Sequence, residues 1–273
     1  MISSIKMDDI LSPNSDPVIS LALDRKNTAH IVCTNENKEV FLLSQSSDID
    51  PSRGKNIPDR GWTFSEIMTS EISIDDCDSV FDQENNLHII WRDAHCLYHT
   101  SSQSNFDTIN ILDTPVDHKW EFYGSVSLAV TRENQVCACY SSTSSRTGNW
   151  GAEYGIVASF KIIDVVDSSL IYGWSAQMSN QYQPICMGTD GNGDLHYYTA
   201  YVDVCGCPRP GRYSSFGRLT GHYKKRTRSD YLPYWHAYTI TGDSQGNPYI
   251  YLGGDIFKAD LNASGDGYWD YQL

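Results

Sequence analysis

Positive charge is scarce in this chain. Lys and Arg total 20 against 34 Asp and Glu, giving a net charge of −14 over 273 residues. A general nucleic-acid binder or a polybasic membrane anchor needs a basic footprint. Neither nucleic acid nor a membrane is therefore an expected partner. Long apolar runs are lacking too. None nears the roughly 18–20 residues that span a bilayer, and Ile156 to Val166 is broken by Ser159, Lys161 and Asp164. Met1 to Asp9 carries Lys6, Asp8 and Asp9 and no apolar signal-peptide core. The chain as written is expected in the cytoplasm, and outside the cell if a leader has been removed. Long amphipathic helical patterns are also few, and no cofactor is expected.

What is present points one way. Hydrophobic residues make up 40%, enough for a packed core rather than disorder. Short runs of Val, Ile, Tyr, Thr and Trp alternate with Asn, Asp, Gly and Ser, the pattern of strands and turns. The fold class is all-β.

One hairpin recurs five times without gaps. Its copies are Leu21–His30, Ser79–His88, Leu128–Cys137, Met187–His196 and Ile240–Tyr249. Each is a strand, then Asp or Thr (Asp24, Asp82, Thr131, Asp190, Asp243), then Asn or Gly three residues on, then His, Cys or Tyr after three more. Asn and Gly tolerate positive φ, and Asp hydrogen-bonds the backbone of its own turn. The anchors lie 58, 49, 59 and 53 residues apart. A period near 50–60 built of short strands is the signature of β-propeller blades. The expected architecture is one five-bladed propeller of four-stranded antiparallel blades, near 11–69, 70–123, 124–180, 181–236 and 237–273. Residues 1–10 are placed to close the ring. Trp62, Trp120, Trp174 and Trp235 recur 58, 54 and 61 residues apart and are read as outer-strand or blade-junction aromatics, with Trp269 in that part at the end.

Asp59-Arg-Gly61-Trp62-Thr63-Phe64 resembles the Asp-box of sialidase-type (BNR-repeat) propellers, and Ser264-Gly-Asp266-Gly-Tyr-Trp269 is a degenerate echo. In that family the motif is a structural turn, so the resemblance implies fold rather than activity. It also implies a lectin-like binding module. Asp16-Pro17 resembles the Asp-Pro that opens five-bladed glycosidases of the arabinanase and xylosidase type, which implies a general-base role for Asp16. The Trp-Ala-Pro and Gly-Pro stretches that carry that family's other acids are absent, as is the Arg-Ile-Pro of sialidases.

In propellers the loops before each inner strand and those between second and third strands open on one face. Here they hold aromatics and carboxylates. Arg92, Tyr123, Tyr140, Trp150, Tyr154, Tyr182, Tyr198, Tyr234 and Trp235 are the candidate ligand-binding residues. Aromatic faces stack on sugar C–H surfaces, while Arg and carboxylates take hydroxyls. Ser141–Tyr154 and Thr199–Tyr213 read as long connections of the kind that form lids or binding loops. The expected function is glycan binding at one or two such sites. The alternative is an enzyme with one asymmetric pocket, acting as a glycoside hydrolase or as a lyase, cyclase or isomerase on a small molecule. In that case Asp16, Asp75, Glu153 and His236 are the catalytic candidates.

His30, His88 and His196 occupy equivalent second-strand positions. They read as packing hydrogen-bonders, with a shared metal site as the other reading. Of eight Cys, Cys33, Cys137, Cys139 and Cys186 read as small buried hydrophobes. Cys205-Gly-Cys207 is compatible with a redox pair, a zinc half-site or free thiols. Seven of the 20 basic residues, Arg209, Arg212, Arg218, Lys224, Lys225, Arg226 and Arg228, crowd one short stretch. That stretch reads as a solvated face or as a site for an acidic partner, a phosphate or an anionic glycan.

Overall fold

The computed structural model describes residues 18–35, 38–45, 54–57, 62–70, 73–93, 95–113, 122–148, 151–163, 170–178, 185–190, 192–193, 195–203, 211–220, 222–228, 237–243, 245, 247–252, 255–259 and 269–271. Among these residues there is no α-helix. They form five antiparallel sheets in two compact units, Met1–Thr114 and Pro115–Leu273.

The first unit holds two sheets. Sheet 1 comprises β1 (Ile19–Leu23), β2 (Ala29–Thr34), β3 (Glu39–Ser44), β4 (Gly54–Ile57) and β5 (Trp62–Thr69), in the order β1-β2-β3-β5-β4. Sheet 2 runs in chain order through β6 (Ile74–Phe81), β7 (Leu87–Asp93), β8 (Leu97–Ser101) and β9 (Asn110–Asp113). The second unit holds three sheets, again in chain order. Sheet 3 is β10 (Phe122–Val130), β11 (Val136–Gly148), β12 (Gly151–Ile163) and β13 (Leu170–Met178). Sheet 4 is β14 (Ile185–Thr189), β15 (Leu195–Asp203), β16 (Gly211–Thr220) and β17 (His222–Arg228). Sheet 5 is β18 (Ala237–Gly242), β19 (Pro248–Leu252), β20 (Asp255–Ala259) and β21 (Trp269–Tyr271).

Each recurrent hairpin joins the first two strands of a sheet, and the repeat chemistry explains why. Asp82 Oδ1 accepts the backbone N–H groups of Glu84 (2.9 Å) and Asn86 (2.7 Å), and Asn85 takes φ 68° between them. Asp24 does the same for Lys26 and Thr28 at 2.8 and 2.7 Å, with Asn27 at φ 60°. Asp190 takes Asn192 N–H at 2.8 Å with Gly193 at φ 76°, and Asp243 takes Gln245 and Asn247 at 2.9 Å each. The second carboxylate oxygen serves the residue six positions on. His196 Nε2 lies 2.9 Å from Asp190 Oδ2, His88 Nε2 3.3 Å from Asp82 Oδ2, and Tyr249 Oη donates to Asp243 Oδ2 at 3.1 Å. His30 stands 3.7 Å from Asp24, an electrostatic contact too long for a hydrogen bond. One Asp thus ties the turn and anchors the next strand. Thr131 keeps only the backbone part, accepting Gln135 N–H at 3.2 Å, and Cys137 stands where the others have a polar ring.

Neighbouring sheets within a unit stack through their first strands. Ser20 in β1 donates to Asp78 Oδ1 (2.8 Å) and accepts Ser79 N–H (2.9 Å) from β6. Ser127 in β10 bonds both the carbonyl and the N–H of Met187 in β14, at 3.2 Å each. The turns clasp as well. Arg25 N–H donates to Asn85 Oδ1 at 2.9 Å, and Arg132 N–H donates to Gly193 O at 3.1 Å. Val32, Val40 and Leu42 of sheet 1 pack with Leu87, Ile89 and Trp91 of sheet 2 in a core that excludes water almost completely.

Three expectations change. Sheet 1 has five strands, because β4 adds to the outside of β5 with Ile57 opposite Trp62. The outer strand of sheet 2 is β9, well before Trp120. Ser141–Tyr154 is no loop: β11 and β12 stay paired to the last rung, Gly148 opposite Gly151, as one long hairpin. Its Ser- and Thr-rich sequence suits a two-stranded ribbon as readily as a loop. Likewise β15 and β16 pair out to Asp203 opposite Gly211. Of the Asp-box-like segment, Asp59, Arg60 and Gly61 lie outside the described residues. Trp62 opens β5 and is buried with Phe41.

Candidate functional site

The first strand of a sheet starts at the same end where its second strand finishes, and in sheet 2 the pairing is irregular there. Ile74 lies opposite Asp93 and Asp76 opposite Arg92, leaving Asp75 as the extra residue of a bulge. A bulge re-aims the side chain it carries. Here it brings Asp75 Oδ2 to 3.0 Å from Arg92 Nη1. The Arg92 side chain is only 9% exposed and that of Asp75 is 40% exposed. A buried cation thus holds a carboxylate that solvent reaches on its other side.

Asp93 builds the adjoining wall. It is 1% exposed, and its Oδ1 accepts the N–H groups of His95 and Cys96 at 2.7 Å each. Its Oδ2 accepts the Tyr98 hydroxyl at 3.0 Å. Burial, with Cys96 and Asp93 alongside, pushes the Tyr98 phenol pKa well up, so it stays protonated and donating. The Tyr98 ring stacks on Trp91 at 5.4 Å with 10° between planes, which fixes the β7–β8 connection on the core. Asp93, one of the carboxylates the sequence places between second and third strands, and Tyr98, which the sequence pattern did not single out, are the positioning residues. An Asp two and three residues before the N–H groups it accepts was the available signal.

The same irregularity recurs at the start of two more inner strands. In β10 the register shifts between Phe122 and Val126, a stretch that includes Tyr123, and in β18 it shifts between Ala237 and Thr239. Sheets 2, 3 and 5 thus each carry a register irregularity near the start of the first strand.

Of the candidate residues, Asp75 and Arg92 come together directly. Tyr140 is fully enclosed in β11 opposite Val126, next to the bulge. Tyr123 lies in β10, Glu153 and Tyr154 lie in β12 opposite Arg146 and Ser145, and Tyr198 lies in β15 opposite Cys186. Asp16, Trp150, Tyr182, Tyr234, Trp235 and His236 lie outside the described residues.

His30, His88 and His196 stand in β2, β7 and β15, each early in the second strand of its sheet. Each belongs to its own turn carboxylate, and no metal-binding group of three His, Cys, Asp or Glu exists among the described residues. His88 extends the chain, because its Nδ1 lies 3.1 Å from Nε2 of the buried His99 on β8. With His88 Nε2–H directed at Asp82, His99 supplies the proton to Nδ1. Burial holds the pKa values of all four imidazoles below the ordinary value, and His99, with His88 beside it, falls to about 3. Cys33 and Cys137 thiols are pushed up to about 12 by burial, and Cys77 also rises, so these three are inert packing groups.

A pH dependence follows. The unfolded chain protonates His near pH 6.5, while the folded protein resists. Below that pH the unfolded state binds more protons, so stability is full above it and falls with acid. His99 alone contributes a loss on the order of 2 kcal/mol by pH 5. Thermal melting between pH 7.5 and 4.5 is expected to show Tm decreasing well before carboxylates titrate. A flat profile down to pH 4.5 would contradict the buried neutral imidazoles.

No family model matches the chain, and no curated protein does either. Solved structures do resemble it. A hydrazine synthase from Kuenenia stuttgartiensis matches with TM-score 0.55 and 11% identity, over 90% of this chain and 67% of its own. The α-L-arabinanase of Penicillium chrysogenum, complexed with arabinobiose, matches with TM-score 0.53 and 10% identity, over 94% and 80%. A puromycin-hydrolyzing peptidase of Mycobacterium tuberculosis matches with TM-score 0.54 and 11% identity, over 100% of this chain and 41% of its own. At such identities the likeness shows the fold, which is all-β and of β-propeller type.

Proposed function

We propose that this chain is a glycan-binding β-propeller whose five sheets are its five blades, with its recognition site at the bulged start of β6. The observation that carries the reading is the ion pair of Asp75 and Arg92. The carboxylate is held by a buried guanidinium yet remains half exposed, so a ligand hydroxyl can donate to its free side without the side chain losing freedom on binding. The fold alone does not choose the ligand, since the similar structures include an arabinanase, a hydrazine synthase and a peptidase. The arabinanase complexed with arabinobiose is compatible with a sugar as ligand. The net charge of −14 favours an uncharged or locally contacted ligand over nucleic acid or an anionic membrane.

The test is a glycan array with the purified, labelled chain, repeated with free-sugar competition. Binding to a coherent glycan family, displaced by the free sugar, is the expected result. A blank array from folded protein would remove the reading, and cleavage of a bound glycan would move it to a hydrolase or lyase.

A further inference from the structure

The strongest charge asymmetry in the molecule is unused by that site. From Val204 to Arg228 there are seven basic residues and no acidic one, so the remainder of the chain carries −14 − 7 = −21. Its described residues, Gly211–Thr220 and His222–Arg228, are β16 and β17, and β17 is the edge strand of sheet 4. Arg209 lies outside the described residues. The register sorts the cations. Arg218 pairs directly with Lys224, Phe216 with Arg226, Ser214 with Arg228, and Val202 with Arg212. Alternate residues share a face and paired residues share a face. Arg212, Arg218, Lys224, Arg226 and Arg228 therefore occupy positions of one face, while Lys225 belongs to the other. Like charges directly opposite each other destabilise a sheet, and the hairpin contains no acid to offset them.

We propose that this face of the β16–β17 hairpin binds a polyanionic polysaccharide, one bearing uronate or sulfate groups. The proposal deepens the glycan reading by naming the chemical class, and rests on it to that extent. Lys224, Arg226 and Arg228 repeat at about 6.8 Å along an extended strand. That spacing suits a chain with anionic groups set well apart. Duplex nucleic acid carries a charge every ~1.7 Å of axis and would meet the −21 remainder on a broad front. A thin polysaccharide can touch the hairpin alone.

The experiment uses the full chain over immobilised heparin, polygalacturonate, neutral dextran and a single-stranded DNA oligonucleotide, at low and physiological salt. Retention on an acidic polysaccharide, weakened by salt, is expected. The triple variant Lys224→Gln/Arg226→Gln/Arg228→Gln should bind about a hundredfold more weakly, at roughly fivefold per cation near an anionic surface. Lys225→Gln should bind like the parent. If the triple variant fails to fold, Arg226→Gln alone should still cost about fivefold. Equal binding by the folded triple variant, no retention on either acidic polysaccharide, or tighter binding to the oligonucleotide would each overturn the proposal. Arg92→Met separates the two readings. Loss in Arg92→Met with none in the hairpin variant sinks this proposal and keeps the β6 site. The reverse pattern keeps this proposal and sinks that site.

Discussion

Asp82→Ala is expected to destabilise the protein by about 3–4 kcal/mol, and to lower Tm by roughly 10 °C. The Asp82 side chain is 4% exposed and takes four polar contacts, from Glu84 N–H, Asn86 N–H, Asn86 Nδ2 and His88 Nε2. Hydrogen bonds hold its pKa below the ordinary value although burial pulls upward. Removing it leaves the fully buried His88 without its acceptor and loosens a turn that needs Asn85 at φ 68°. Asp82→Asn keeps an acceptor for the turn and should cost less than half as much. Thermal and urea unfolding of the two variants make the check. Equal, small losses in both would show that the carboxylate is not the clasp. Thr131, which keeps only the backbone part of the device, should be the most tolerant of the five anchors.

Gly188→Ala is the second large effect. A Cβ on Gly188 would collide with the carbonyl oxygen of Ile240 and lie 2.8 Å from its carbonyl carbon. Those atoms belong to β18, which packs beside β14, and backbone cannot swing aside as a flexible side chain does. The substitution adds only a methyl group, yet it should cost ~3 kcal/mol or more by forcing two first strands apart. Gly193→Ala meets a different obstacle: φ 76° at a tight approach to Arg132. Urea midpoints compared with Ser127→Ala, which loses hydrogen bonds but makes no clash, separate sterics from bonding. A Gly188→Ala variant as stable as the parent would contradict the close approach.

The parts of this fold that could be read from sequence were those carried by local chemistry. The Asp, Asn or Gly, and His spacing is a turn that closes on itself, so its five copies located five hairpins and their flanking strands. The same spacing sets His88 and His196 six residues after the carboxylates they contact. The parts that could not be read depended on register. Nothing in Ile74-Asp75-Asp76 announces which residue will be the bulge, and only the bulge makes Asp75 meet Arg92. The Ser- and Thr-rich stretch of β11 and β12 reads as a loop because these residues are common to loops and solvated strands alike. Only cross-strand pairing out to Gly148 and Gly151 distinguishes them.

The most direct test of the central claim is a titration of the best oligosaccharide from the array against the parent and Arg92→Met. Arg92 is nearly buried and Asp75 is half exposed, so the variant frees the carboxylate without opening the core widely. The expected result is binding weakened about tenfold or more in the variant, with an unchanged far-UV spectrum, since a charged hydrogen-bonding group fixed at a site contributes ~1.5–3 kcal/mol. Equal affinity for the parent and a folded Arg92→Met variant would contradict the placement of the glycan site at the start of β6.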